Sequence, residues 1–311
     1  MCKLIKLALF MCLGSFAVSC EDNKKENSKM QINRYLSEME KQILVHKGTE
    51  RPGTGALLHN KKKGIYSCRN CGSDLYESAA KFESGCGWPS FDDEIEGRVK
   101  RTTDADGRRT EITCRNCGGH LGHVFLGEGF TEKSTRHCVN SLSLRFTPAD
   151  WKPQKAYFAG GCFWGVEHYL QMVPGVSTVV SGYSGGQVES PSYKQVCYED
   201  TGHLEAVEVT YNPYKVSFEE LAKMFFEIHD PTQTNGQGPD LGAQYLSAVF
   251  YTNEDEKEVA KQLIKLLEEK GYKIATKLIK FEKFWPAEAY HQDYYERKGT
   301  LPYCHGYTKR F

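Results

Sequence analysis

The stretch Gly160-Gly161-Cys162-Phe163-Trp164-Gly165 decides how the second half of the chain is interpreted. An apolar run with strand character precedes it at residues 156–159, and a run with helical character follows it at residues 166–172. A cysteine at such a junction lies near a helix N-terminus, where backbone N–H groups and the helix dipole favour a thiolate. Because two flat apolar side chains also flank the sulfur, we interpret Cys162 as a nucleophile facing an apolar pocket. The alternative is a buried structural cysteine in a glycine-rich turn.

Strand and helix signals alternate around this stretch. Runs of β-forming residues predict strands at residues 177–181, 204–211 and 248–251. Ser217 and Glu220 form a capping box ahead of a predicted helix. A second, amphipathic helix is predicted over residues 254–270, and its apolar stripe is Val259, Leu263, Leu266 and Leu267. The expected architecture is an α+β two-layer sandwich.

The first half has a different pattern, mainly β with one helix. Apolar residues at helical spacing predict an amphipathic helix, and they are Tyr35, Leu36, Met39, Ile43 and Leu44. Short runs at residues 64–67, 111–113 and 141–146 predict strands between glycine- and aspartate-containing turns.

A length of 311 residues favours two domains. We place the first domain at residues 32–147 and the second at residues 156–311. A linker with two prolines and several charges separates them at residues 148–155. Residues 1–20 are predicted to be a signal segment, and residues 21–31 a charged tether.

The signal segment has two lysines ahead of an apolar run that is too short for a stable membrane anchor. It ends at Ala17-Val18-Ser19-Cys20, which resembles a bacterial lipoprotein processing site that would leave Cys20 acylated. Plain secretion after nearby cleavage is the alternative. We therefore expect a protein of the bacterial cell envelope, either periplasmic or membrane-anchored, that contacts the membrane only through Cys20.

The formal net charge is zero, so the composition gives no sign of a nucleic-acid partner, and we expect a monomer. The chain has 12 cysteines, which is many for its length. Four of them form two C-x-x-C pairs, each followed by glycine, and these are Cys68, Cys71, Cys114 and Cys117. Two such knuckles complete a closed tetrahedral site, which predicts one structural zinc ion rather than two disulfides.

Other residues of the first half carry reactive groups. Cys86 and Trp88 share a constrained turn, and His120 and His123 offer proton donors or acceptors. Cys138 follows Arg136 in a run with strand character, where the guanidinium can stabilise a thiolate.

These residues lie in motifs through which residues 33–147 resemble a B-type methionine sulfoxide reductase. The motifs are Gly48-Thr49-Glu50-Arg51-Pro52, the two C-x-x-C pairs, S-G-C-G-W-P-S-F, G-H-L-G-H-V-F and R-x-C-x-N-S-x-S-L-x-F. The resemblance implies that Cys138 attacks a methionine-R-sulfoxide and that Cys86 resolves the product. It also implies that Trp88 holds the substrate methyl group, and that polar groups surround the sulfoxide oxygen, namely His120, His123 and Asn140.

The second half offers further polar groups for sulfoxide chemistry, which needs a proton donor for the departing oxygen. A carboxyl in an apolar pocket can stay protonated near pH 7. Glu205 lies in an apolar run and could be this acid, although strand alternation alone favours an outward-facing charge. Tyr193 and Tyr245 could donate phenol hydrogen bonds or could be ordinary core residues.

Residues 156–311 resemble an A-type methionine sulfoxide reductase through G-G-C-F-W-G, G-Y-S-G-G, P-S-Y-x-x-V-C, T-G-H-x-E-A-V and A-E-x-Y-H-Q-x-Y. The resemblance implies that Cys162 attacks a methionine-S-sulfoxide and that Glu205 donates the proton. The remaining implied site residues are Phe163 and Trp164 at the methyl group, Tyr193 and Tyr245 at the oxygen, and Asp240 in support. For the resolving cysteine we favour Cys304 in the C-terminal tail over Cys197.

The resemblances imply one chemistry for both halves. A thiolate attacks the sulfoxide, a sulfenic acid forms, and a second cysteine closes a disulfide that a thioredoxin-like dithiol must reduce. Because a pocket fits one sulfoxide epimer, two domains would cover both, in oxidised proteins and in free methionine sulfoxide. A zinc-stabilised redox sensor without turnover is the alternative function.

Overall fold

The computed structural model describes residues 30, 32–104 and 107–311, and those from 32 onward belong to one compact unit. The predicted signal segment with Cys20, and the tether except for residue 30, lie outside the described residues. The longest described helix has 16 residues and is amphipathic. In the described part of the chain, no helix combines the length and apolarity needed to cross a bilayer.

The described residues of the first half, 30, 32–104 and 107–148, contain one α-helix and nine strands. They are α1 (Glu38–Leu44), β1 (Gly64–Cys68), β2 (Asp74–Glu77), β3 (Lys81–Phe82), β4 (Ser90–Phe91), β5 (Val99–Thr103), β6 (Thr110–Cys114), β7 (His120–Leu126), β8 (Thr135–Val139) and β9 (Leu144–Pro148). The strands form two antiparallel sheets, a three-stranded one in the order β2-β1-β9 and a six-stranded one in the order β3-β4-β8-β7-β6-β5. In the larger sheet Cys138 pairs with His123 on one side and with Ser90 on the other.

Two sequence predictions for the first half were wrong in detail. The helix begins only at Glu38, because Ser37 caps it in a capping box with Glu40, and Met39 is exposed. Residues 141–143 form a 3₁₀ turn instead of a strand. The carboxylate of Glu50 accepts hydrogen bonds from the backbone of Ser141 and Leu142, which holds that turn.

The second half contains eight strands and five α-helices. They are β10 (Gln154–Gly160), α2 (Phe163–Gln171), β11 (Val176–Ser184), α3 (Tyr193–Tyr198), β12 (Leu204–Tyr211), α4 (Phe218–Ile228), β13 (Gly236–Gln237), β14 (Asp240–Leu241), β15 (Ser247–Tyr251), α5 (Glu254–Glu269), β16 (Lys277–Lys280), β17 (Phe284–Pro286) and α6 (Tyr294–Lys298). Six strands form one sheet in the order β16-β15-β10-β12-β11-β17, antiparallel except for the parallel pair β15 and β16. The fold therefore consists of two regions that both mix sheets and helices.

The predicted capping box of Ser217 and Glu220 is confirmed at the start of α4. The predicted apolar stripe of α5 is only partly correct. Leu266 is 45% exposed, whereas Ala260, Leu263 and Leu267 are buried. Strand β9 extends to Pro148 and β10 begins at Gln154, which pairs with Tyr211, so residues 149–153 connect these two strands.

Charged side chains join the two halves. Arg145 on β9 donates to Glu220 Oε1 at 2.6 Å and to the carbonyl oxygen of Lys215 at 2.5 Å. Lys215 in turn reaches Asp74 Oδ1 at 2.9 Å. The side chains of Arg145 and Glu220 are both largely buried, so this contact is part of the packed interior rather than a surface ion pair.

Candidate active sites

Four cysteines of the first half come together. The Sγ atoms of Cys68, Cys71, Cys114 and Cys117 all lie within 4.8 Å of one another. The backbone N–H groups of Gly72 and Gly118 donate to the carbonyl oxygens of Cys68 and Cys114, the first cysteine of each pair, at 2.8 Å, and both glycines have φ of 75°. The Cys71–Cys114 and Cys68–Cys117 sulfur separations are 3.6 and 3.7 Å. Tetrahedral zinc with bonds of about 2.3 Å requires about 3.8 Å, whereas a disulfide requires about 2.0 Å, so this donor set fits zinc.

A second pair of cysteines lies in the first half, away from these knuckles. Cys138 Sγ on β8 is 3.8 Å from Cys86 Sγ in the loop before β4. The hydrogen bond from Cys138 lowers the pKa of the Cys86 thiol to about 4. The same contact, with burial, raises the pKa of the Cys138 thiol, and the charge of Arg136 opposes that rise. The pair therefore holds one shared negative charge near neutral pH.

A cavity of about 120 Å³ opens onto Cys138. Its lining is Thr49, Trp88, Arg109, Gly122, His123, Phe125, Cys138 and Asn140. Four of these residues were singled out from the sequence, and Thr49, Arg109 and Phe125 were given no role there. The cavity combines apolar walls with hydrogen-bonding groups beside a sulfur nucleophile, which suits a small polar group that carries a methyl substituent.

Carboxylates hold the two histidines near this cavity. His123 Nε2 is 2.9 Å from Asp104 Oδ2, and His120 Nδ1 is 2.7 Å from Glu111 Oε1. His120 is buried behind the lining, with its ring 5.7 Å from that of His123. Its Nε2 has no hydrogen-bond partner among the described residues. His123 therefore faces the cavity directly, whereas His120 stands one layer behind it.

Glu50 forms hydrogen bonds to several residues that line or adjoin the cavity. Its backbone N–H donates to Asn140 Oδ1 at 3.0 Å, and its carbonyl accepts from Trp88 Nε1 at 3.1 Å. Its carboxylate, 5% exposed, accepts from the N–H groups of Ser141 and Leu142. The sequence places Glu50 about 90 residues from Asn140, and no periodicity could have revealed this role.

In the second half, Cys162 is the residue that precedes helix α2, as the sequence predicted. It is 6% exposed. Glu205 on β12 is 1% exposed, and its Oε2 accepts from the N–H of Phe163 at 3.0 Å. The expectation from strand alternation is therefore wrong, because residues 204–207 are buried on both faces of the sheet. Burial, and then the charge of Cys162, raise the pKa of Glu205 well above its ordinary value.

Aromatic side chains form the wall beside Cys162. Trp164 stacks on Tyr294 with ring centroids 3.6 Å apart, and its Nε1 donates to His291 Nδ1 at 3.2 Å. The ring of Phe163 lies 5.0 Å from that of His291. Tyr294 and His291 belong to a motif that the sequence analysis quoted but gave no role.

Tyr193 and Tyr245 lie close enough to Glu205 for its charge to act on both phenols. Burial first, then that charge, raise the pKa of each hydroxyl. Both therefore remain protonated near neutral pH and can donate hydrogen bonds to an oxygen near Glu205.

Of the two candidate partners for Cys162, the structure brings Cys304 to it. Cys162 Sγ, Cys304 Sγ and an Asp240 carboxylate oxygen lie within 4.8 Å of one another. The hydroxyl of Tyr303 donates to both carboxylate oxygens of Asp240, at 2.9 and 3.0 Å. Cys197 lies instead on α3, in hydrogen-bond contact with Tyr193.

Comparisons with known proteins agree with this geometry. A family model described as "Peptide methionine sulfoxide reductase" matches residues 154–310, and one described as "SelR domain" matches residues 36–148. Peptide methionine sulfoxide reductase MsrA of Sulfolobus acidocaldarius is 47% identical over 150 residues, which cover 48% of this chain and 85% of that protein. MsrA 1 of Rhodopirellula baltica is 50% identical over 150 residues, covering 48% and 78%. Peptide methionine sulfoxide reductase B5 of Oryza sativa subsp. japonica is 52% identical over 134 residues, covering 43% and 98%.

Proposed function

The chain belongs to the peptide methionine sulfoxide reductases, with a SelR domain followed by an MsrA domain, and from this we propose how each half carries out its reaction. It is a thiol-dependent oxidoreductase with peptide-methionine (R)-S-oxide and (S)-S-oxide reductase activities, acting in protein repair. The observation that carries the proposed mechanism is that each candidate nucleophile has a second cysteine sulfur beside it, Cys86 at 3.8 Å from Cys138 and Cys304 within 4.8 Å of Cys162.

In the second half, we assign Cys162 as nucleophile and Glu205 as acid. The Cys162 sulfur bonds to the sulfoxide sulfur while the neutral Glu205 carboxyl protonates the departing oxygen. The new hydroxyl group passes to the Cys162 sulfur as the bond between the two sulfurs breaks, so methionine leaves, Cys162 becomes a sulfenic acid, and the proton lost by the thiol restores Glu205. The raised pKa of Glu205 supports this role, because a donor must still be protonated near neutral pH. Tyr193 and Tyr245 bind the oxygen, and Phe163 and Trp164 contact the methyl group.

In the first half, we assign Cys138 as nucleophile. The proton shared with Cys86 can move to the Cys86 sulfur, which leaves the thiolate at the end of the cavity. Trp88 contacts the methyl group, and His123 and Asn140 bind the sulfoxide oxygen with His120 behind them. These positions are supported by the lining of the cavity.

Resolution follows in each half. Cys86 attacks the sulfenic acid on Cys138, and Cys304 attacks that on Cys162, so that a disulfide forms and water leaves. The short sulfur separations support both pairings. A thioredoxin-like dithiol then reduces each disulfide, and both protein-bound and free methionine sulfoxide serve as substrates.

Zinc in the cluster of Cys68, Cys71, Cys114 and Cys117 would supply a structural link between two knuckles and no chemical step. The four thiolates fill its coordination shell, so no position remains for substrate. We also propose that residues 1–20 direct the protein to the bacterial cell envelope. Radiolabelled palmitate incorporation, lost in Cys20→Ala, would distinguish a lipoprotein from a soluble periplasmic form.

Single-turnover reduction of the separate sulfoxide epimers tests the assignment. We expect Cys138→Ser to abolish reduction of the R-epimer alone, and Cys162→Ser that of the S-epimer alone, with dithiothreitol as reductant. The nucleophile assignment is wrong if either variant still reduces the epimer assigned to the substituted cysteine, or if either variant no longer reduces both epimers.

A further inference from the structure

His305 directly follows Cys304 and contacts its sulfur. Its Nδ1 is 3.1 Å from Cys304 Sγ, and its Nε2 is 2.7 Å from the carbonyl oxygen of Gly160. The imidazole is 6% exposed, so water does not replace either contact.

The two contacts define which nitrogen carries the proton. A carbonyl oxygen only accepts hydrogen bonds, so Nε2 must be the protonated nitrogen. Burial lowers the pKa of His305 to about 4, which keeps the ring neutral near pH 7. Nδ1 therefore presents a lone pair to the thiol hydrogen of Cys304.

The fold makes room for this ring and fixes it. A Cβ atom added to Gly165 would lie 2.2 Å from His305 Nδ1, so the last glycine of the Cys162 motif leaves the space that the imidazole fills. The residues after His305 are tied to the end of α4, where Gly306 N–H donates to the Ile228 carbonyl at 3.1 Å and Thr308 N–H to the Glu227 carbonyl at 2.7 Å. The ring is therefore held at the sulfur rather than carried on a loose tail.

We propose that His305 is a catalytic base in the second half and takes the thiol proton of Cys304 as that sulfur attacks the sulfenic acid on Cys162. This inference rests on the proposed resolving role of Cys304. The S–S bond forms as the sulfenic S–O bond breaks, and the leaving hydroxide takes the proton from the imidazolium and departs as water. One sulfenic acid and one thiol thus become one disulfide and one water, and because the sulfenic sulfur is already oxidised, no outside oxidant is needed.

The charged groups around the ring suit this transfer. The Asp240 carboxylate, which lies beside both sulfurs, stabilises the imidazolium while it exists, and the buried His229 ring opposes it if protonated. Burial lowers the pKa of His229 to about 3, so it stays neutral near pH 7 and leaves Asp240 as the acting charge.

The test follows one turnover of the full chain with the S-epimer and no reductant. Methionine, the dimedone adduct of Cys162 and the Cys162–Cys304 disulfide are each measured by mass spectrometry over time. The variants are His305→Gln and His305→Asn. The control is His229→Gln, which removes a buried imidazole whose nitrogens contact Phe225 O and Ser247 Oγ instead of sulfur.

We expect both His305 variants to release one equivalent of methionine, which shows that they fold, and to form the disulfide about 100-fold more slowly near pH 7. Without a base, hydroxide from solvent must remove the thiol proton, so that rate should rise roughly tenfold per pH unit, whereas the wild-type rate should rise less steeply. The control should match the wild type. A disulfide rate equal to the wild type, or slowed by one constant factor between about pH 6 and pH 9, would show that His305 only packs the tail.

Cys304→Ser separates this inference from the proposed function beneath it. If Cys304→Ser still forms a disulfide at Cys162, the resolving role of Cys304 is wrong and the base has no substrate. If Cys304→Ser forms none while His305→Gln forms it at the wild-type rate, only the role of His305 is overturned.

Discussion

The backbone N–H of Phe163 donates to Oε2 of Glu205 at 3.0 Å, so the first residue of helix α2 fixes the carboxyl of a fully buried strand residue. This bond stabilises the charged form of Glu205, yet burial and the neighbouring sulfur outweigh it, and the pKa stays raised. A carboxyl that is held in position and stays neutral is well suited to donate a proton to a bound sulfoxide oxygen.

Glu205→Gln should lower the rate of S-epimer reduction by about 10²- to 10⁴-fold, because the amide keeps the shape of the side chain and cannot donate its proton as an acid does. Reduction of the R-epimer in the same sample should not change. Separate assays of the two epimers measure both rates. Glu208→Gln is the control on the same strand, because Glu208 bonds to Lys155 and Tyr157 away from Cys162. Equal S-epimer rates in Glu205→Gln and Glu208→Gln would show that Glu205 is not the acid.

The pH dependence follows from the same shift. An acid acts only while it is protonated, so S-epimer reduction should persist above the ordinary carboxyl range and decline as the pH rises through the raised pKa of Glu205. Single-turnover rates of methionine release over a pH series measure this limb. The residual rate of Glu205→Gln should not show this decline at high pH. A decline that persists in the variant would come from the titration of another group.

The shared charge of Cys86 and Cys138 should appear in alkylation. With the pKa of Cys86 held at about 4 by Cys138, iodoacetamide should modify the pair readily at about pH 6. Cys138→Ala removes the hydrogen-bond donor, so the pKa of Cys86 should return toward about 8.5 and its alkylation at about pH 6 should slow more than tenfold. Peptide mapping after timed alkylation measures the rate at each cysteine. The control is Cys197→Ala, which removes a cysteine outside the pair and should leave the alkylation rate of Cys86 unchanged.

The sequence predicted the positions of the reactive groups better than their surroundings. The C-x-x-C knuckles and the glycine-flanked Cys162 are local patterns, and local backbone geometry determines what they present. From the residues alone Glu205 could be an acid or an outward-facing charge, and only the family resemblance favoured the acid, because alternation assumes one solvent-facing side and residues 204–207 have none. Glu50 and His305 are positioned by contacts to Asn140 and Gly160, about 90 and 145 residues distant in sequence, which single-sequence periodicity does not encode.

Removing zinc should affect the two halves unequally. A strong chelator combined with mild denaturant, or Cys114→Ser, should destabilise the first half and abolish R-epimer reduction, since Cys114 ends β6 in the sheet that carries Cys138. Reduction of the S-epimer should decline less than reduction of the R-epimer. Metal analysis should give about one zinc per chain in the untreated protein. A chain that holds no zinc and keeps full R-epimer activity would show that the four cysteines do not need a metal.

The ion pair between Arg145 and Glu220 should couple the stabilities of the two halves. Arg145→Met removes the guanidinium and leaves the buried Glu220 carboxylate with its capping bonds to Ser217 and a longer ion pair to Arg69 at 3.6 Å, so we expect a loss of about 2 kcal/mol in the free energy of unfolding. Lys155→Met breaks an ion pair whose lysine is 53% exposed, and it should change that free energy by less than about 0.5 kcal/mol.

Denaturant unfolding followed by fluorescence, with each epimer assayed in parallel, measures both effects. If Arg145 couples the halves, the loss of S- and R-epimer activity should coincide in the wild type and separate along the denaturant axis in Arg145→Met. Transitions that stay coincident in the variant would assign the coupling to other contacts between the halves.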